Sequence, residues 1–186
     1  MLTDIESLIT ELNTAIGNRK GAIIGIDGCD GVGKTTLGRN IAKLLKMKHL
    51  DLDAYIIEKS DNFLNNICDK RLKADIESLK KESLIISGIC LLEILERNQI
   101  NPDILIYVKK YDNSGMLWRD EDDCTIQGDP YELLENRVRN YNKIMGKEGG
   151  FDPKDYRYEA DKILYHQKYK PHEKADIIFM RKEGDV

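Results

Sequence analysis

At 186 residues, with 41% of them hydrophobic, the chain is long enough to form one domain with a real core. Charged residues make up 33%, acids and bases are interspersed, and the formal net charge is −4, so no footprint for nucleic acid or an anionic membrane is present and the expected partner is a small molecule. No apolar run reaches the length of a membrane span, and Met1-Leu2-Thr3-Asp4-Ile5-Glu6 carries acids where a signal peptide needs bases, so a cytoplasmic protein is expected.

In chain order, Ile5, Leu8, Ile9, Leu12 and Ile16 recur at helical spacing over residues 3–16, with Gly17 as a stop signal. This predicts an amphipathic helix packed on the flank of a sheet, an oligomer contact being its alternative use. Ala22-Ile23-Ile24-Gly25-Ile26 then reads as a strand buried on both faces. It leads into Gly28-Cys29-Asp30-Gly31-Val32-Gly33-Lys34-Thr35, which fits G-x-x-x-x-G-K-[ST], the phosphate-binding loop of ATP- and GTP-using proteins. A triphosphate needs a concave lining of backbone N–H groups, which glycines allow. Lys34 is expected to reach the β- and γ-phosphates and the Thr35 hydroxyl to bind Mg²⁺. A helix over Thr36–Lys46, with Leu37, Ile41, Leu44 and Leu45 on one face, directs its N-terminus at the anion. The expected ATP-binding set therefore runs from Gly28 to Thr36.

Lys48 to Tyr55 reads as a second strand running into a loop. Alternation places Asp51 and Asp53 on one side if the strand extends that far. Ligands of open parallel sheets bind beyond the carboxyl ends of the strands, so Asp53 is placed to accept a substrate hydroxyl proton or to hold Mg²⁺ through water, with Asp51 as the fallback. Residues 60–82 read as a helix burying Phe63, Leu64, Ile67, Leu72, Ile76 and Leu79. Ser83–Gly88 is a third strand, a helix follows through Ile89 to Leu95, and Asp103–Val108 is a fourth strand ending in Lys109-Lys110. Residues 109–129 lose periodicity. They read equally as a lid carrying Arg119 over the phosphates or as a solvated acidic loop in which Arg119 pairs with a neighbouring carboxylate.

Asp129-Pro130 supplies an N-cap and an N1 proline for a helix to Met145 that presents Leu133, Leu134, Val138, Tyr141 and Ile144. Pro153 opens another helix through Tyr158, Ile163 and Leu164, which Pro171 ends, and Ala175–Met180 is a fifth strand. Cys29, Cys68, Cys90 and Cys124 form no C-x-x-C pair, and His49, His166 and His172 show no metal spacing, so reduced thiols and packing or surface histidines are expected. Five apolar strands separated by helical crossovers imply a three-layer α/β fold with a five-stranded parallel sheet in a single domain.

These pieces together resemble the uridine kinase and phosphoribulokinase-like group of P-loop kinases. The resemblance rests on Ile26-Asp27-Gly28 through Lys34-Thr35-Thr36-Leu37, Asp53-Ala54-Tyr55, Ser87-Gly88-Ile89, Arg119-Asp120, and Tyr169-Lys170-Pro171 with Ala175-Asp176-Ile177-Ile178. It implies ATP and Mg²⁺ as cofactors, Asp53 as the residue that activates the acceptor hydroxyl, Thr35 as a Mg²⁺ ligand, Arg119 as a lid arginine, and a nucleoside as the acceptor. Two positions depart from the group: Ser87 stands where a glutamate is usual, and the arginine-rich lid is reduced to Arg119 with Lys109 and Lys110 nearby. The loop also resembles that of thymidylate kinases, although the chain has no Asp-Arg dipeptide, and a non-catalytic nucleotide-binding regulator is a further alternative. The guanine signature N-K-x-D is missing; Asn142-Lys143-Ile144-Met145 lacks the aspartate.

Overall fold

A computed structural model describes residues 1–17, 19–57, 64–79 and 81–184. Helix α1 (Ile5–Ile16) is capped by Asp4, whose carboxylate accepts from the Ser7 N–H, and ends at Gly17. Strand β1 (Ile23–Gly28) feeds the phosphate loop, α2 (Lys34–Leu45) and β2 (Lys48–Asp51) follow, and a 3₁₀ turn spans Leu52–Tyr55. Helix α3 (Asp69–Leu79) leads to β3 (Leu84–Ser87), α4 (Leu91–Arg97) and β4 (Ile104–Tyr111). Next come α5 (Glu121–Thr125), α6 (Pro130–Met145), a 3₁₀ turn at Pro153–Tyr156, α7 (Arg157–Tyr169), the one-turn α8 (Pro171–Lys174) and β5 (Ile177–Lys182).

The sheet has the order β2-β3-β1-β4-β5 and every pairing is parallel. Successive residues of each strand face opposite layers. Ile24, Ile26, Ile85, Ile104, Ile106 and Val108 pack with Leu8 and Leu12 of α1 and with Leu37 and Ile41 of α2. Leu84, Ile86 and Leu105 pack on the other side with Leu72 and Ile76 of α3 and with Leu91, Ile94 and Leu95 of α4. Each face is covered, which is why the strands read as continuous apolar runs. A third, smaller cluster of Leu134, Ala160 and Ile163 joins α6 to α7.

Several expectations need correction. The first strand runs two residues beyond Ile26, so Asp27 lies within it, fully buried. Leu44 is 55% exposed, and Ala42 faces the core instead. The second strand stops at Asp51, where the Asp51 carboxylate caps the following 3₁₀ turn through the Asp53 N–H, so strand alternation does not relate the two aspartates. The helix expected over 60–82 begins only at Asp69: Leu64–Asn66 is a 3₁₀ turn, Ile67 bridges Ile56 in extended backbone, and Phe63 lies outside the described residues. The fourth strand continues through Lys109 and Lys110 to Tyr111, extended by pairing with β5. On α6 the expected face is only partly inward, since Tyr141 and Ile144 are exposed at 53% and 81%. Pro153 opens a 3₁₀ turn rather than the helix itself, and Pro171 starts one turn of its own.

Candidate active site

The carboxyl ends of β1, β2 and β3 open into a cavity of about 830 Å³, whose wall includes Asp30, Gly31, Gly33, Lys34, Thr35, Asp51, Asp53 and Tyr158. Parallel strands direct their C-terminal ends and the following helix N-termini to one edge, which is where such a site must form. Gly28 has φ +147°, and a Cβ there would stand 2.7 Å from the Val108 carbonyl oxygen, so the turn into the loop admits only glycine. Gly33 at φ +89° occupies the N-cap of α2, where a side chain would collide with the Arg181 guanidinium.

Lys34 is buried, and its Nζ donates to the Cys29 carbonyl at 2.7 Å, spanning the loop where phosphate oxygens would bind. Burial lowers its pKa, partly offset by Asp27 and Asp30. Asp27, at the base of the loop, accepts from the Gly28 N–H at 2.7 Å and from the Tyr165 hydroxyl. Burial raises its pKa to about 6, and the Tyr165 hydrogen bond only partly opposes that rise. Thr35 lies on the cavity wall, whereas Thr36 is exposed and also lines a separate groove with Asn40 and Arg181. Val32 is buried beneath the loop, so its side chain serves packing.

Asp53 and Asp51 share the cavity wall with Lys34 and Thr35. Although Asp53 as a residue is exposed, enclosure of its carboxyl raises its pKa, Asp51 adds to the rise, and Lys34 opposes it. Hydroxyl and carboxylate oxygens on one cavity wall are of the donor type that a hard cation such as Mg²⁺ takes. Ser87 does not join them: it is fully buried, and its hydroxyl lies 2.8 Å from His49 Nε2.

Arg119 makes the carboxylate pair expected of a solvated loop and also touches the loop's backbone. It pairs with Asp120 at 3.0 Å, and its Nη2 also donates 2.6 Å to the Asp30 carbonyl at the rim of the loop. The segment before it is anchored, because Tyr111 bridges Trp118, Trp118 is buried, and the Lys109 Nζ sits 3.8 Å from the centre of its ring. Lys110 contributes its carbonyl to the Arg119 N–H.

The contribution of α7 is missing from the sequence reading. Tyr158 and Lys162 hold the Asp30 carboxylate at 2.9 and 2.8 Å, and Tyr165 reaches Asp27. Burial alone would raise the Asp30 pKa, but Lys162, Tyr158 and Lys34 together outweigh it and leave Asp30 below the ordinary value. Residues 158, 162 and 165 share one helical face, which is the pattern that could have pointed to a common target. Cys29 is a free thiol, as expected, and it is buried. Its Sγ faces Cys124 at 3.3 Å, Tyr107 at 3.7 Å and His166 at 4.0 Å, all in the interior.

A five-stranded parallel sheet in this order, with a glycine loop and buried lysine at the end of β1, is a three-layer P-loop α/β fold. Among solved structures, one titled a possible uridine kinase from Bacillus stearothermophilus is similar at a TM-score of 0.53 and 15% identity, covering 94% of this chain and 96% of that one. A shikimate kinase from Bacteroides thetaiotaomicron is 20% identical over 86% of this chain and 85% of that one, with a TM-score of 0.34. The shikimate kinase family profile matches residues 30–84, from the loop to the start of β3. No curated protein matches the sequence significantly. At 15% identity, the likeness to the structure titled a possible uridine kinase is one of fold. No helix among the described residues is long and apolar enough to cross a membrane.

Proposed function

We propose that the protein is an ATP- and Mg²⁺-dependent kinase that transfers the γ-phosphoryl group to a hydroxyl of a small metabolite, with a nucleoside as the expected acceptor. The observation that carries this reading is that Lys34, Thr35 and Asp53 line one cavity large enough for a triphosphate tail and a small acceptor together. Phosphoryl transfer asks the protein chiefly for positioning and charge neutralisation. The loop N–H groups and Lys34 bind the phosphates, Lys34 exchanging the Cys29 carbonyl for phosphate oxygens. Thr35, Asp53 and Asp51 would hold Mg²⁺, which when bound offsets phosphate charge. Asp53 orients the acceptor hydroxyl and takes its proton. Arg119, held by Asp120 at the rim of the loop, would exchange the Asp30 carbonyl for a phosphate oxygen while the residues before it stay anchored. Ser87, turned toward His49, takes no part, and Asp51, its register partner in β2, offers a carboxylate to the cavity instead.

The test is ADP release from Mg-ATP across nucleosides, sugars, sugar phosphates, vitamins and shikimate, comparing wild type with Asp53→Asn. Turnover that depends on one acceptor and falls by roughly 10²–10⁴-fold in the variant is expected. Tight ATP binding with no acceptor-dependent turnover would overturn the kinase reading and favour a nucleotide-binding regulator.

A further inference from the structure

Beneath the phosphate loop, residues from four separate elements bring polar atoms to one buried point. Cys29 comes from the loop, Tyr107 from β4, Cys124 from α5 and His166 from α7. All four are buried, and Cys124 and Tyr107 are only 2% and 0% exposed. The two sulfurs are 3.3 Å apart, and Cys29 Sγ stands 4.0 Å from His166 Nε2. The Tyr107 hydroxyl caps the triangle of the other three, 3.0 Å from Nε2, 3.2 Å from Cys124 Sγ and 3.7 Å from Cys29 Sγ.

We infer that Cys29, Cys124, His166 and Tyr107 form a structural binding site for one zinc-class divalent cation, which ties the phosphate loop to α5 and α7.

Four features support this inference. With bonds of about 2.0–2.3 Å, ligand atoms around a tetrahedral ion stand roughly 3.3–3.8 Å apart, and the observed separations straddle that range. The histidine is oriented for ligation: its Nδ1 lies 2.8 Å from the Lys162 carbonyl, which can only accept, so Nδ1 carries the proton and the Nε2 lone pair faces the sulfurs. A backbone carbonyl on the remote ring nitrogen is one of the three common partners of a metal-bound histidine, beside carboxylate and water. Charge also balances, because two thiolates, a neutral imidazole and a neutral phenol sum to −2, which a divalent cation cancels in a buried place. Finally, the donor set is soft: sulfur with imidazole favours zinc over the Mg²⁺ that oxygen donors beside Thr35 would take.

Binding involves no electron transfer. The cation displaces the thiol protons to solvent, forms bonds to both sulfurs, to Nε2 and to the Tyr107 oxygen, and breaks the hydrogen bond between Tyr107 and His166. Because the Cys29 carbonyl is also the acceptor for Lys34, an ion on its sulfur fixes the floor of the loop independently of any reaction above it. The inference does not rest on the kinase reading.

The experiment is a titration of the reduced, metal-free, full-length protein with Co²⁺, followed by displacement with Zn²⁺. One equivalent should give a thiolate-to-cobalt charge-transfer band with tetrahedral ligand-field bands, both abolished by one equivalent of Zn²⁺, and each binding event should release protons. Cys124→Ser and His166→Gln, checked as folded by near-ultraviolet circular dichroism, should weaken binding by more than roughly 100-fold, beyond what loss of an outer partner costs. Cys68→Ser should bind as wild type does. Absence of the charge-transfer band in folded wild type overturns the inference, as does undiminished binding by either ligand variant. A Cys29–Cys124 disulfide forming with oxidised glutathione in a protein that takes up no cobalt overturns it in favour of a redox pair. These readouts stand whether or not any acceptor is phosphorylated.

Discussion

The sheet with its two flanking layers and the helical cap built from α5, α6 and α7 are held together by different means. In the sheet, interior residues of β1, β3 and β4 are buried on both faces between two large apolar clusters. The α6–α7 pair closes on a cluster of three buried residues, Leu134, Ala160 and Ile163, and leaves Tyr141, Ile144 and Met145 exposed. What the cap lacks in apolar area it replaces with polar anchors to the loop: Tyr158 and Lys162 on Asp30, Tyr165 on Asp27, and His166 at the cysteine cluster. Polar anchors contribute less net stability than an equal footprint of packed side chains, but they fix direction. The comparison teaches that the scaffold holds the phosphate loop while the cap sets how the loop's side chains point.

The largest stability effect should separate the two regions. Ile106→Ala removes a fully buried side chain from the centre of the sheet and is expected to cost about 4 kcal/mol, seen as a lowered urea midpoint of the whole protein. Leu134→Ala, in the cap cluster beside exposed surface, should cost about 2 kcal/mol, with lost hydrogen-exchange protection confined to α6 and α7. Equal costs, or protection lost throughout in both variants, would break the distinction.

A second prediction probes the joint where α7 meets β1. The Asp27 pKa of about 6 lies above the usual carboxylate value of 3.8, so protonation favours the folded state. The associated stability is fully present below pH 3.8 and is lost as pH rises through 6. Asp27→Asn cannot titrate. Relative to that variant, wild type should therefore weaken by up to roughly 3 kcal/mol between pH 4 and pH 7, measured by urea unfolding at each pH. A pH-independent difference would mean that the Tyr165 and Gly28 contacts keep Asp27 ionised throughout, and that the joint is tighter than its burial implies.

The two regions also differed in how legible they were. Strands such as Leu84–Ser87 carry their burial in β-branched and leucine runs, and the loop carries its function in the spacing of Gly28, Gly33 and Lys34, so both could be read from neighbouring residues. Their ends were harder. Strand β2 gives way at Asp51 because that carboxylate bonds the Asp53 N–H, a local competition that apolar periodicity does not register. The contacts between cap and loop were invisible, since Asp30 and Lys162 are 132 positions apart and Cys29, Cys124 and His166 share no motif spacing. Ser87 was visible as a departure from the resembling group, but only its hydrogen bond to His49 explains where its hydroxyl went.

The smallest effect tests whether the cap opens as a unit of its own. Asp129, read from the sequence as the N-cap of α6, accepts from the N–H groups of Tyr131 and Glu132, both at 2.9 Å. Pro130 already occupies the first helical position without an N–H, so those two donors are the ones that the carboxylate satisfies. Asp129→Ala should cost about 1 kcal/mol. Because α6 rests on few buried side chains, that loss should appear as faster hydrogen exchange in its first turns, with exchange in β1 and β4 unchanged and the phosphate loop still held by α7. Faster exchange spreading into β1 would instead make α6 part of the cooperative core, and the loop's polar anchors would then stand on packing rather than replace it.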